Sequence, residues 1–253
     1  MTDESILKPG AVALVTGASS GIGRAIVQSL LCAGLRVVCV ARNRMRLQEV
    51  TAMNPDQTLS MAIDVTDPSA VAGIVEALPE EWRTIDILVA NAGSDVGGRR
   101  RFDEGNVSDW ASTIETNVMG VIRICHAVIP GMLERGRGHV VTMGSVAGFS
   151  TYAGGSIYAA SKHAVHAFTD SLRKDYLTDP IRITEIMPGL VRTGFAEARH
   201  KGDSAQSDAF YDSFPAVLEA ENIASSAMFA LSQPQSVNIS QIVVVSTGNK
   251  WQG

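Results

Sequence analysis

The chain has 253 residues, three cysteines and a formal net charge of −5, with a pI near 5.5 and a mean hydropathy of +0.12. That length can bury a full core as a single α/β domain, and 45% hydrophobic against 19% charged residues is a globular composition rather than a disordered one. The acidic balance argues against a nucleic-acid partner, whose phosphates call for a basic surface. No run approaches the ~18 apolar residues of a membrane span, and residues 1–10 lack the basic-then-apolar order of a signal peptide, so a cytoplasmic chain without a membrane partner is expected.

Cys32, Cys39 and Cys125 fall inside apolar patterns, are odd in number and have no metal-ligand spacing. Buried, reduced thiols and no metal are expected.

In chain order, residues 11–15 form a short apolar strand followed at once by Thr16-Gly17-Ala18-Ser19-Ser20-Gly21-Ile22-Gly23. A helical period then runs through Ile22, Ala25, Ile26, Ser29, Leu30 and Ala33 and stops before Gly34. Strand, glycine turn and helix in that order suit a dinucleotide: glycine lets the backbone approach a pyrophosphate, and the free N–H groups at a helix start complement its charge. The spacing Gly-x-x-x-Gly-x-Gly differs from the more familiar Gly-x-Gly-x-x-Gly.

The second strand, 36–40, ends in Ala41-Arg42-Asn43-Arg44, where an NAD enzyme would carry an acid for the ribose hydroxyls. Here the position is basic. Arg42, with Arg24 directly after Gly23, suits a 2′-phosphate, so NADP(H) is expected over NAD(H); the alternative is that both are solvated ends of elements.

Residues 58–63 read as a third strand closed by Asp64-Val65, where a carboxylate would meet an adenine amino group. Asp67-Pro68 opens a helix expected to reach residue 78. Residues 85–89 are a nearly all-apolar fourth strand, as buried parallel strands are, running into Asn91-Ala92-Gly93; Asn91 reads as a brace between loops. A helix is expected from about 110 to 133. Its Asn117 interrupts an apolar pattern and must be paired, either structurally or through a water that reaches Lys162.

Residues 139–143 form a fifth strand that delivers Ser145. A helix through Tyr158 runs to about 177, and a sixth strand at 181–186 leads to Pro188-Gly189. Residues 190–215 have no clean period and read as a lid. A helix at 220–231 and a strand at 241–245 follow, and Trp251 is expected to dock on a neighbouring subunit. This rhythm predicts a doubly wound parallel sheet of about seven strands with helices on both faces.

Tyr158 and Lys162 are four apart, which stacks them on one helix face. A free tyrosine, with a pKa of about 10, is a poor base at neutral pH, and a cation beside it is expected to favour the phenolate. Ser145, arriving from the preceding strand end, would bond the same substrate oxygen.

Together these ordered motifs resemble the short-chain dehydrogenase/reductase family over nearly the whole chain. The resemblance implies a Rossmann-type, NAD(P)-dependent oxidoreductase, usually a homotetramer, with Tyr158 as general acid/base and Ser145 orienting the substrate oxygen. It gives Lys162 the nicotinamide ribose and Asn117 support of a proton relay. It implies a cofactor site made of Gly17, Ser19, Ser20, Gly21, Ile22, Gly23, Arg24, Arg42, Asp64, Val65, Asn91, Ala92, Gly93, Tyr158, Lys162, Pro188, Gly189, Val191 and Thr193. One departure is Ala90-Asn91-Ala92-Gly93 in place of Asn-Asn-Ala-Gly.

Within the family the likeness is to NADP-dependent 3-hydroxy acid dehydrogenases and sulfoacetaldehyde reductases, carried by Leu78-Pro79-Glu80-Glu81-Trp82, Tyr152-Ala153-Gly154-Gly155 and Pro188-Gly189-Leu190-Val191. Such substrates are small anions, so a cation is expected in the pocket: Arg192, Arg199, Lys201 or one of Arg99 to Arg101, each of which also reads as an ordinary exposed charge. Phe195, Phe210, Tyr211 and Phe214 keep open a larger neutral ketone or alcohol as substrate, and a nucleotide-binding regulator without turnover is the alternative outside catalysis. His163 and His166 read as packing or solvent-facing residues.

Overall fold

In the computed structural model, which describes residues 4–195, 199 and 204–248, the apolar runs pair edge to edge. The strands are β1 (Val12–Thr16), β2 (Arg36–Ala41), β3 (Thr58–Ala62), β4 (Ile85–Ala90), β5 (Gly138–Met143), β6 (Ile181–Pro188), β7 (Val191–Arg192), β8 (Leu218–Glu219) and β9 (Gln241–Val244). Seven of them form one sheet in the order β3-β2-β1-β4-β5-β6-β9, every pairing parallel; β7 and β8 make a separate short ladder. This is the expected Rossmann-type doubly wound sheet.

Successive strand side chains face opposite sides, and that alternation splits the core in two. Ala13, Val15, Val37, Cys39, Ile87 and Val89 join one apolar cluster, while Val12, Leu14, Val38, Val40, Leu88 and Ala90 join the other. The helices are α1 (Gly21–Cys32), α2 (Arg44–Thr51), α3 (Pro68–Ala72), α4 (Val107–Ile114), α5 (Gly120–Glu134), α6 (Ser156–Asp175), α7 (Ser204–Asp212) and α8 (Ala220–Ser232); α1, α2, α3, α5, α6 and α8 supply residues to the two clusters. Where Asp86 interrupts apolar β4, its Oδ2 accepts from Val12 N at 3.0 Å, beside the one register shift between β1 and β4.

Several expectations need correction. The helix opened by Asp67 is N-capped by that side chain, which accepts from Ser69 N and Ala70 N, but it ends at Gly73 rather than 78. Asn43 caps the unanticipated α2 by accepting from Arg46 N at 3.0 Å. The long helix starts at Val107, N-capped by Asn106, and is broken by a π-helical turn at Glu115–Met119. By length and composition Val107–Glu134 would cross a membrane, with a window of mean hydropathy 1.3; Val121, Ile124, Cys125, Val128, Ile129 and Met132 instead belong to the second core cluster. Cys32 is exposed, not buried. Cys39 and Cys125 are buried, and burial pushes both thiols up to about 12. The lid segment contains a helix, α7. Trp251 and Lys201 lie outside the described residues.

Strand β6 is buried throughout, Arg182 included. Its guanidinium reinforces the C-terminal end of α8 by donating to the carbonyls of Ala230, Leu231, Gln233 and Val237 at 3.0 to 3.3 Å. That anchors the last helix across the sheet from the active edge.

Candidate active site

The strand order reverses between β1 and β4, which opens a crevice at their C-terminal ends. A cavity of about 1060 Å³ fills it. Thr16 and Asn91 close its floor: Thr16 Oγ1 accepts from Asn91 N and Ala92 N, both at 3.0 Å, and Asn91 Nδ2 donates to Thr16 O at 3.0 Å. Asn91 therefore braces two loops, as its place at a strand end suggested.

Gly17 and Gly21 have φ of +66° and +50°, the left-handed region that favours glycine. A Cβ at Gly23 would collide with the Gly17 carbonyl, so that position serves packing beneath the turn. Ser20 makes no side-chain cap for α1, and the first turn has no acid; the helix's orphan N–H groups and positive end therefore meet the cavity at Ser20, Gly21 and Ile22. Gly17, Ser19, Asp64, Val65, Ala92, Gly93, Pro188, Gly189, Val191 and Thr193 line the same space, as do Arg42 and Arg46. Arg24 is not among the lining residues. Asp64 spends Oδ1 on Thr66 N and Oγ1 at 3.0 and 2.8 Å, and its Oδ2 lies 3.7 Å from Arg42.

Ser145, Tyr158 and Lys162 line the inner end. Ser145 stands at the N-cap of a short 3₁₀ turn with its Oγ accepting from Ala147 N at 3.2 Å. Lys162 is buried and donates Nζ to Met143 O at 2.8 Å; burial lowers its pKa to about 8, against the opposing charge of Glu185. The ammonium lies 5.9 Å from the Tyr158 ring centroid.

The expected effect on the phenol is reversed. Tyr158 is held well above the ordinary tyrosine value, first by desolvation and then by Tyr152, with the Ser145 hydrogen bond and the Arg199 charge working downward. Helical spacing placed Lys162 one turn away, but its Nζ turns to a backbone carbonyl, and withdrawal of water outweighs every nearby cation.

Asn117 is fully buried in the π turn. Its Oδ1 accepts from Ser94 N at 2.7 Å, and its Nδ2 donates to Ser94 O at 2.9 Å and Ser161 Oγ at 3.0 Å. Its side chain thus ties the β4 loop to α6. A Cβ at Gly93 would lie 3.4 Å from Asn117 Oδ1 and 3.9 Å from Lys162 Nζ, so all three meet at one point.

Of the candidate cations, Arg99 and Arg199 line the cavity. Arg199 Nε lies 2.8 Å from Asp95 Oδ2, both side chains under a tenth exposed, with its guanidinium 5.5 and 5.2 Å from the Phe195 and Phe210 rings. Arg99 stacks over Tyr152 at 4.3 Å. Arg192 pairs with Asp212 at 2.9 Å and Arg101 with Asp103 at 3.0 Å, both outside the cavity, and Arg100 bonds Gly97 O. Tyr211 OH donates to Thr193 O at 2.9 Å and accepts from Thr193 N at 3.2 Å, fastening α7 across the mouth.

The sequence profile described as short chain dehydrogenase matches residues 11–204. The chain belongs to the short-chain dehydrogenase family. Among the relatives of this dehydrogenase is the NADP-dependent 3-hydroxy acid dehydrogenase of Shigella flexneri, 36% identical over 96% of this chain and 97% of that protein. Sulfoacetaldehyde reductase 2 of Chromohalobacter salexigens is 36% identical over 95% and 96%. A closed form of serine dehydrogenase complexed with NADP+ superposes with a TM-score of 0.92 at 35% identity, covering 96% and 97% of the two chains.

Four side chains at this dehydrogenase's site escaped the sequence reading in these roles. Arg46 has a signal, lying one turn beyond Arg42 after the Asn43 cap. Tyr152 and Asp95 sit in irregular loops with no period to reveal them. Glu185 is the one carboxylate of the wholly buried strand β6, where Arg182 is the other charge, and a charge at such a position is a signal in the sequence.

Proposed function

We propose that this oxidoreductase transfers a hydride between NADP(H) and a small hydroxy acid or its semialdehyde or keto form. One observation carries the reading: Ser145, Tyr158 and Lys162 converge in the same cavity as the glycine turn and the uncapped start of α1. The glycine cradle and the orphan N–H groups suit a dinucleotide diphosphate, and Arg42 with Arg46 suits a 2′-phosphate. Lys162 would hold the nicotinamide ribose, and the sequence-expected lining residues would enclose the rest. The bound nicotinamide supplies or accepts the hydride.

The chain's own residues supply the proton and the orientation. Tyr158, kept protonated by burial, gives its proton to a carbonyl oxygen as charge develops there, and Ser145 donates a second hydrogen bond to that oxygen. Asn117 steadies the start of α6 through Ser161, whose Oγ donates to Tyr158 O at 2.7 Å. Arg199 and Arg99 are the cations that fit a substrate carboxylate or sulfonate. Residues 190–215 act as the lid of a single-domain enzyme, a reading supported by likeness to a closed form in that relative.

The test is NADPH oxidation across short aldehydes and ketones with and without an acidic group. We expect an anionic substrate to exceed its neutral isostere by about tenfold or more in kcat/KM, and Tyr158→Phe to lose on the order of 10³-fold in kcat. Equal rates on both classes would remove the anion, and turnover unaffected by Tyr158→Phe would remove the mechanism. A larger neutral ketone is the second reading, favoured by Phe195, Phe210, Tyr211 and Phe214 all lining the cavity. We also infer a cytoplasmic homotetramer; exposed Phe102, Val107, Ile114 and Met119 around α4 suit a subunit contact, which sedimentation would check.

A further inference from the structure

Close to the catalytic lysine, in β6 and not among the residues that line the cavity, lies a carboxylate that the proposed mechanism does not use. Glu185 sits in the middle of β6 with no exposed surface. Its Oε2 lies 2.7 Å from His166 Nδ1, and the His166 side chain is 31% exposed. Its Oε1 has no hydrogen-bond partner among the described residues. A Cβ at Gly144 would collide with that oxygen, so the carboxylate lies against the residue between Met143, whose carbonyl binds Lys162 Nζ, and Ser145.

Buried carboxylates are costly unless compensated, and the compensation here is specific. The charged groups that act on Glu185 are His166, Lys162 and Arg173, all on α6. Arg173 is committed elsewhere, to Ile183 O, Ser240 O and Asp170. The strands on either side offer neutral groups: Thr142 is the register partner on β5 and Gln241 on β9. Gln241 Nε2 lies 3.4 Å from His166 Nδ1, and Asp170 faces His166 from its own helix. His166 and Lys162 are one turn apart on α6: the carboxylate bonds the solvent-touching imidazole directly, and its charge acts through space on the buried ammonium, whose own hydrogen bond goes to Met143 O.

We propose that Glu185 is a positioning residue for Lys162: it is the buried counter-charge that keeps the lysine an ammonium, and His166 is the surface group that keeps Glu185 ionised. The inference rests on the role given to Lys162 above. Burial depresses Lys162 while Glu185 acts in the opposite direction, and burial raises Glu185 while His166 acts first against it. Loss of Glu185 therefore lowers the pH at which Lys162 loses its proton. Loss of His166 raises the pH at which Glu185 gains one.

The test has two readouts. The chain has five lysines, so a ¹³C-lysine NMR titration of the full-length protein resolves Lys162 without any turnover. Its midpoint should fall by about one pH unit in Glu185→Gln and stay near the wild-type value in Glu185→Asp, which keeps the charge. In pH–rate profiles the alkaline limb of kcat should shift down in Glu185→Gln, and the acid limb should shift up in His166→Gln. If every variant lowers Tm and scales kcat equally at all pH values while the Lys162 midpoint stays put, the pair is only a structural tie and the proposal falls. Should Glu185→Gln fail to fold, an unmoved acid limb in His166→Gln overturns the proposal. A wild-type chain that turns over no carbonyl would sink the functional reading alone, since the titration still decides whether Glu185 sets the charge of Lys162.

Discussion

Two arginine–aspartate pairs each set a guanidinium in the lining of one cavity, and they are physically unlike. Arg42 and Asp64 approach to 3.7 Å with side chains 68% and 37% exposed, so water screens them and the pair is worth roughly 0–1 kcal/mol. Arg199 and Asp95 meet at 2.8 Å with side chains 8% and 9% exposed, under the rings of Phe195 and Phe210. The rim guanidinium is held weakly enough to turn to an incoming phosphate. The inner one is committed, and removing it leaves a buried carboxylate behind. The exposed pair should therefore accept single substitutions that the buried pair does not.

The largest effect expected from this contrast is at Arg199. Arg199→Leu should destabilise the chain by about 3–5 kcal/mol in urea unfolding, because Asp95 is left buried without its cation. Arg199→Leu combined with Asp95→Leu should recover most of that loss, since an apolar pair of similar volume replaces both charges. The double variant should still reduce a neutral ketone while losing the anionic substrate, which separates folding from recognition. If Arg199→Leu alone is as stable as wild type, the inner pair is no more coupled than the outer one.

The pH response should divide the same way. Burial brings Lys162 from 10.5 to about 8, and the unfolded chain recovers the ordinary value. Between those two pH values the unfolded state binds the additional proton, so this group's contribution to stability rises with pH. Below about pH 8 the buried ammonium costs the folded chain a constant amount, on the order of 3 kcal/mol for a shift of that size. Lys162→Met should thus be more stable than wild type at pH 7, with the advantage shrinking as pH rises from 8 to 10.5. Arg42→Ala, at the exposed end, should show the same small offset at every pH. A Lys162→Met advantage that does not narrow would mean the lysine is not desolvated.

How far the site could be read beforehand follows from which forces are local. The glycine turn, Asn91 and the strand ends were legible because backbone conformation and helix polarity are written into adjacent residues. Asn117 announced itself as a polar break in an apolar period, although the π turn that holds it did not. The sense of the Tyr158 shift was not legible: a four-residue spacing gives proximity to Lys162, but desolvation depends on side chains brought from elsewhere in the chain, such as Phe195 packed edge to face at 5.8 Å. Similarly, Arg199 was one of six candidate cations until the fold put Asp95, more than a hundred residues earlier, beneath it. Residues 190–215 read as irregular because β7 is short and α7 turns Phe210 and Tyr211 to a cavity rather than to a core cluster.

The smallest effect is at the rim, and it is the sharpest test of the exposed half of the comparison. Arg42→Ala should leave unfolding free energy within about 0.5 kcal/mol of wild type, as surface substitutions do. It should weaken NADPH binding by about tenfold, the equivalent of one charge-assisted contact, and leave NADH binding unchanged, because only the 2′-phosphate distinguishes the two. Arg46 lines the same rim and should absorb part of the loss, so Arg42→Ala/Arg46→Ala should exceed the single variant. The penalty should also shrink with added salt, since an exposed contact is screened over a Debye length of about 8 Å at physiological ionic strength. Fluorescence titration with both nucleotides at two salt concentrations measures all of this, and equal losses for NADPH and NADH would mean that Arg42 supports the loop rather than the phosphate.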